Sequence, residues 1–170
     1  MIELGMDAHF RPVDLDNDLD KCITFRRDTW LVSYGTTDGF CANDAIKWFH
    51  HLSQNNPSGF IHIWFNGSIV GQLEFKSDID SDDEKRAGYV NLFYLKQEYR
   101  GSGLGQIAHD YVVEKLFKNR CHKAMLRVIP GNLRAEAFYV KNGWYREGDA
   151  SERGQLMCLD ITGDAYGIAG

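Results

Sequence analysis

The run Arg100-Gly101-Ser102-Gly103-Leu104-Gly105 constrains this chain more than any other, because it joins a segment that reads as strand to one that reads as helix. Residues Tyr89 to Leu95 are β-branched and aromatic, and beyond Gly105 the apolar positions Ile107, Ala108, Tyr111, Val112, Leu116 and Phe117 recur at helical spacing. At a helix start the first backbone N–H groups lack intrahelical partners and the macrodipole is positive. A phosphate is favoured there, provided no side chain blocks its approach. Gly101, Gly103 and Gly105 supply that clearance. The run is neither the longer phosphate loop ending in Gly-Lys-Ser/Thr nor the dinucleotide pattern Gly-x-Gly-x-x-Gly, since Gly103 is followed by Leu104, Gly105 and Gln106. On its own it is a weak signal, and a tight turn is its plainer reading.

A second segment narrows the choice. Lys123 to Ile129 reads as a strand, Pro130-Gly131 as a break, and Asn132 as the N-cap of a helix that carries Ala135, Phe138 and Tyr139 and stops at Gly143. Arg100-x-x-Gly103-x-Gly105 followed by Asn132-x-x-Ala135-x-x-Phe138-Tyr139-x-Lys141-x-Gly143-Trp144 resembles the acetyl-CoA site of the GNAT superfamily of N-acetyltransferases. The resemblance implies an α/β fold, with a central mixed, mostly antiparallel sheet of six or seven strands flanked by about four helices. It implies direct acetyl transfer from acetyl-CoA to a primary amine of a small molecule or peptide.

The family's functional positions carry over one by one. The backbone of Phe93, Tyr94 and Leu95 would bind the pantetheine arm, with the Leu95 N–H stabilising the oxyanion. Gly101, Ser102, Gly103, Leu104, Gly105 and Gln106 would wrap the pyrophosphate, behind Arg100 at the first motif position. Asn132 matches the residue that touches the pantetheine arm, and Tyr139 the general acid that reprotonates the departing thiolate. A phenol suits that work because its ordinary pKa of about 10 keeps it protonated at neutral pH. Each residue also has a plainer reading. Tyr139 fits a core aromatic beside Phe138, Asn132 a simple helix cap, and Arg100 a solvated charge before a turn.

The departures from the family concern the general base. Where the histone-modifying branch has a Glu on the strand entering the loop, this chain has Tyr89; where the ribosomal-protein branch has its base, five residues before the Asn, it has Arg127. The remaining candidate is Glu74, in the strand Val70 to Phe75 expected beside the loop strand, and its bland alternative is an outward-facing carboxylate. Gln97 replaces a proline frequent two residues after Leu95, which relaxes that turn without removing a donor.

The N-terminal part should choose the acceptor. Phe10 to Val13 reads as a first strand, Leu15 to about Ser33 as a helix, and Asn43 to about Gln54 as a second helix capped by Asn43. Phe60 to Trp64 and Ile69 to Phe75 read as a hairpin around Asn66-Gly67, and Gln155 to Ile161 as the last strand. In the family the two early helices line the acceptor cleft, which makes Asp28, Trp30, Tyr34 and Asp38 candidates to seat an amine. Core packing for Trp30 and ordinary exposure for the aspartates are the alternatives. His50-His51, late in the second helix, suits the negative dipole end without any chemistry.

Composition bounds the rest. With 170 residues and 44% hydrophobic content the chain can bury a full core, and no composition shift marks a linker, so a single domain over residues 1–170 is expected. Apolar runs are too short to cross a bilayer and Met1-Ile2-Glu3-Leu4 lacks a secretory pattern, which points to a cytoplasmic protein without a membrane partner. Cys22, Cys41, Cys121 and Cys158 form no Cys-x-x-Cys pair, so neither a zinc site nor a disulfide framework is indicated, and they read as reduced and structural. A net charge of −5 without a basic run argues against nucleic acid. The acidic run Asp78 to Glu84 resembles the opening of a calcium loop, but has Asp83 in place of the turn glycine and Tyr89 in place of the bidentate Glu. It reads as a solvated hairpin connection, and no metal is expected. Small members of the family often dimerise, so a homodimer is an option that one sequence does not decide. A domain that binds acetyl-CoA as a sensor, without transfer, is the alternative function, and the absent carboxylates at the two familiar base positions keep it open. An interaction module that only keeps the fold would bind no CoA, which the intact Gly103, Gly105 and Asn132 argue against.

Overall fold

The computed structural model describes residues 7–80 and 86–162. Of the acidic run Asp78 to Glu84, residues Ser81 to Glu84 lie outside them, and with these the reading of a solvated connection. Strand β1 is Ala8–Pro12. Helix α1, Leu15–Tyr34, starts where the Asp14 carboxylate accepts the Asp16 and Asn17 N–H groups at 3.1 and 3.4 Å. It ends at Gly35, whose φ of 74° is the left-handed conformation that lets its N–H reach the Leu31 carbonyl at 2.8 Å. Helix α2 is Ala42–Asn55, and here the expected cap is corrected: Cys41 holds the cap position in an extended conformation with no side-chain bond, and Asn43 lies inside the first turn.

Strands β2, Phe60–Phe65, and β3, Ser68–Asp80, form the hairpin expected from Asn66-Gly67. Both turn residues have positive φ, 50° and 81°, as a two-residue turn matching strand twist requires. Strand β4, Arg86–Leu95, leads through a 3₁₀ turn at Gln97–Tyr99 to helix α3, Leu104–Lys118. Strand β5 is Lys123–Val128, helix α4 Leu133–Lys141, β6 Tyr145–Arg146 and β7 Gln155–Asp160. The seven strands make one sheet in the order β1-β2-β3-β4-β5-β7-β6. It is mixed: β4 and β5 run parallel, while β1 with β2, β2 with β3, β5 with β7 and β6 with β7 are antiparallel.

The chain divides into two compact units, one of residues 1–74 and 92–108, the other of 75–91 and 109–170. The divisions fall within β3, β4 and α3 rather than at linkers. In the first unit Cys22, Phe49, Leu52 and Phe60 form one core cluster, and Phe25, Ile69, Leu92 and Tyr94 another. The helix spacing of Cys22 and Phe25, and the period-two placing of Leu92 and Tyr94, put these residues on inward faces. In the second unit Val112, Val113 and Leu116 of α3, Ala124, Leu126 and Val128 of β5, and Met157, Cys158 and Leu159 of β7 are buried.

Cys22, Cys121 and Cys158 are buried and Cys41 is exposed; all four are free thiols. Among the described residues no group of three His, Cys, Asp or Glu could hold a metal ion, and no helix is long and apolar enough to cross a membrane.

Candidate active site

In the first unit the end of β4 is the organising element. Leu92, Tyr94 and Leu95 are buried, and the Lys96 N–H donates to the Val70 carbonyl of β3 at 2.8 Å. Gly71 makes this close approach of strands feasible, because a Cβ there would meet the Tyr94 carbonyl oxygen at 2.4 Å. Beyond the 3₁₀ turn the loop is drawn tight by Ser102, whose hydroxyl donates to the Tyr99 carbonyl and accepts the Leu104 N–H at 3.4 Å. Gly101 and Gly103 have φ of 77° and 94°, conformations that L side chains rarely adopt, and both are exposed. Leu104, fully buried, anchors the helix that follows. The loop therefore presents bare backbone at the N-terminus of a fifteen-residue helix, the donor set an anionic pyrophosphate needs.

Arg100 turns toward the strand it follows. Its Nε donates to the Leu95 carbonyl at 2.8 Å, its terminal nitrogen lies 3.5 Å from Asp28 Oδ2, and its guanidinium stands 5.6 Å over the Tyr94 ring. The Tyr94 hydroxyl donates to the same Asp28 oxygen. Burial, with the carboxylate beside it, pushes the Tyr94 phenol above its ordinary value, so it remains a donor at neutral pH. Asp28 opens onto a cavity of about 370 Å³, bounded by Phe25, Arg27 and Leu31 of α1, Thr37 beyond it, and Tyr94 and Glu98.

The other three acceptor candidates, Trp30, Tyr34 and Asp38, do not line this cavity. Trp30 donates its indole N–H to the Asp38 carbonyl at 3.0 Å and packs its ring 4.7 Å from Tyr34 and 6.3 Å from Phe40. This aromatic cluster ties the chain after α1 back onto the helix, and it engages Asp38 through backbone alone. Glu74 requires the larger correction. It has no exposed surface, so the outward-facing alternative fails. Nor is it placed as a base: its Oε1 accepts from the Arg26 guanidinium and, at 2.6 Å, the Trp48 indole, and its Oε2 from Arg26 Nε at 3.3 Å and the Gln72 amide at 2.9 Å. Both oxygens are occupied by donors and neither reaches solvent.

In the second unit Asn132 caps α4, its Oδ1 accepting the Ala135 N–H at 3.2 Å. Tyr139, two residues before the helix end, is 8% exposed, with its ring 5.5 Å from both Phe138 and Trp144 in edge-to-face contact. Its carbonyl accepts the Asn142 and Trp144 N–H groups, each at 3.0 Å, so Gly143, with φ of 92°, reverses the chain and returns Trp144 onto the tyrosine. Burial pushes the Tyr139 phenol above its ordinary value. Trp144 Nε1 donates to His109 Nε2 at 2.9 Å. An indole N–H only donates, so that nitrogen carries no proton and Nδ1 donates to Asp110 at 3.0 Å. Burial lowers the proton affinity of His109 in keeping with this neutral form.

Sequence reasoning missed Arg26, Trp48, His62, Gln72 and His109. A signal existed for one of them: Gln72 shares a face with Glu74 in the stretch Ile69 to Phe75, otherwise Ile, Val, Gly, Leu and Phe, and an apolar strand with polar residues at period two buries a polar row.

Residues 20–144 match the model of the acetyltransferase (GNAT) family, and the chain belongs to that family as a GNAT-type N-acetyltransferase. Among curated relatives, a spermine/spermidine N(1)-acetyltransferase of Bacillus subtilis is 22% identical over 131 residues, covering 75% of this chain and 82% of the relative. Among solved structures, the paia N-acetyltransferase of Thermoplasma acidophilum, in complex with coenzyme A, superposes with a TM-score of 0.67 at 18% identity, covering 91% of this chain and 99% of that one. The NatC complex bound to Gag peptide and CoA gives 0.68 at 18% identity, covering 92% and 100%. At these identities the structural likenesses establish the fold.

Proposed function

We propose that residues 1–170 work as one acetyl-CoA-dependent N-acetyltransferase domain, which moves an acetyl group by direct transfer to a primary amine of a small molecule or peptide. The observation that carries this reading is the set of contacts made by Arg100: one side chain follows the end of β4, opens the glycine loop and touches Asp28 at the cavity. The groups expected to hold the acetyl donor and the carboxylate facing the acceptor are thus tied together within one unit. Supporting it are the bare loop at the start of α3, which fits a pyrophosphate, and the CoA carried by related folds of known structure. Acetyl-CoA supplies the activated acyl group.

In this reading Gly101, Gly103 and the first turn of α3 hold the pyrophosphate, and Asn132 lies along the pantetheine arm. Asp28 attracts the acceptor's ammonium into the cavity, where the neutral form of the amine is the attacking species. The Leu95 N–H donates to the carbonyl oxygen as charge gathers there. Tyr139 gives its proton to the leaving thiolate, and its buried environment keeps it protonated until that moment.

Calorimetric titration of acetyl-CoA, followed by thiol release with spermidine, aminoglycosides, amino acids and short peptides, tests the reading. Binding with turnover on an amine supports it. Binding with no turnover on any of these favours a sensor, and no binding refutes the assignment of both motifs.

A further inference from the structure

A chain of buried polar side chains runs through the first unit apart from the roles above. Starting from α1, Cys22 Sγ lies 3.5 Å from His62 Nε2, His62 Nε2 lies 2.9 Å from Gln72 Oε1, and Gln72 Nε2 donates to Glu74 at 2.9 Å. Glu74 then receives Arg26 of α1 and Trp48 of α2. The β2–β3 register places His62 opposite Gln72, which sets up the middle of this chain. Since Gln72 spends its NH₂ on Glu74, its carbonyl faces His62, and the imidazole carries its proton on Nε2. The only charges are those of Arg26 and Glu74, and an amide interrupts any proton path along the chain.

Burying an ion pair costs several kcal/mol per ion, and apolar residues of similar volume commonly serve stability as well. What the pair adds is direction. Glu74 receives Arg26 through two nitrogens, which fixes the rotation of α1 about its axis. Each residue turns a helix by about 100°, so a modest rotation would carry Asp28, two residues beyond Arg26, off the Tyr94 hydroxyl. We infer that Glu74 is a positioning residue for the acceptor. Through Arg26 and Trp48 it sets α1 and α2 so that Asp28 meets Tyr94 at the cavity, and it takes no proton itself. This inference rests on the acetyltransferase reading above.

The test uses the full chain with spermidine and an N-terminally free tetrapeptide as acceptors, comparing Glu74→Gln, Trp48→Phe and the double variant Arg26→Met/Glu74→Met. Glu74→Gln should raise the acceptor KM by about tenfold, with the acetyl-CoA KM and the pKa values in the kcat–pH profile unchanged. Trp48→Phe, which leaves the ion pair intact, should shift the acceptor KM less, in the same direction. The double variant should lower the melting temperature, because the Gln72 amide and the Trp48 indole lose their acceptor, while retaining the raised acceptor KM with the acetyl-CoA KM unchanged, a split that a loss of stability alone would not give. Loss of kcat together with the acidic limb of its pH profile would make Glu74 the base and overturn the inference. A lowered melting temperature with unchanged kinetics would overturn it as well. If Glu74→Gln does not fold, an unchanged acceptor KM in both other variants has the same effect. A wild-type chain that releases no thiol with either acceptor, or with the wider amine panel, would instead remove the acetyltransferase reading, and this inference with it.

Discussion

The two units of the chain bury polar chemistry in opposite ways. In the unit with the glycine loop a fully buried carboxylate, Glu74, is paired with the half-buried Arg26, and both of its oxygens are met by donors. In the unit with the second motif the interior holds neutral groups, Tyr139, Trp144 and an imidazole that accepts from an indole. In the first, pairing offsets the burial of a carboxylate while desolvation keeps the nearby His62 neutral; in the second, desolvation dominates, at both Tyr139 and His109. The chemistry expected of each follows: a binding side that needs a fixed field for a cationic amine, and a proton donor that must remain a neutral phenol until a thiolate forms.

Five substitutions and a change of pH would break or sharpen this contrast. Gly103→Val should have the largest effect, a loss of acetyl-CoA affinity of at least about a hundredfold by calorimetry, since φ of 94° suits no β-branched residue and the side chain would fill the space proposed for a phosphate. Unaltered affinity would refute the loop assignment. Tyr139→Phe should lower kcat by about a hundredfold while leaving acetyl-CoA affinity nearly unchanged, because it removes a proton and little contact area. Equal losses in both would show that the neutral interior binds rather than donates.

Next come two glycine changes, one in each unit. Gly71→Ala meets a backbone oxygen at 2.4 Å, whereas Gly88→Ala meets the Leu116 side chain at 2.5 Å. The first should cost about 1–3 kcal/mol in urea unfolding and the second less, because a leucine tip yields and a strand carbonyl does not. A larger cost at Gly88 would show that the second unit is the less yielding.

The smallest effect concerns pH. Burial lowers the pKa of both His62 and His109 below the ordinary 6.5. Below that value the unfolded chain binds protons that the folded chain refuses. Stability should therefore fall as pH drops below about 6.5, and these two histidines contribute no dependence above it. Thermal melts from pH 7.5 to 5.5 check this, and His109→Gln should flatten the profile. A profile that His109→Gln leaves unchanged would mean that its burial carries no titration cost.

Much of the fold was legible because its signals are local. Asn66-Gly67 demanded a tight hairpin, the apolar period after Gly105 demanded a helix, and Asn132 and Gly143 bracketed α4 as cap and stop. Strand β6 was missed, since two residues, Tyr145 and Arg146, carry no periodicity. The Asn43 cap was misplaced by two positions because Cys41 offers no capping oxygen for sequence to detect. The loop glycines and Tyr139 were singled out as candidates through motif spacing. The roles of Asp28, Glu74 and Arg100 were not separable, because each depends on which distant group it faces.

By itself the sequence determined the family, the strand–loop–helix that presents bare backbone, and the helix that carries Tyr139, since these follow from residue type at fixed short spacing. Only the tertiary structure decided the fate of the carboxylates. Glu74 and Asp28 look alike in sequence. Bringing Arg26 and Trp48 onto one made it an interior strut, and bringing the Tyr94 hydroxyl and Arg100 to the other left it facing a cavity. What an acidic side chain does is set by the donors that reach it and by the water it keeps, and both come from contacts between residues far apart in the chain.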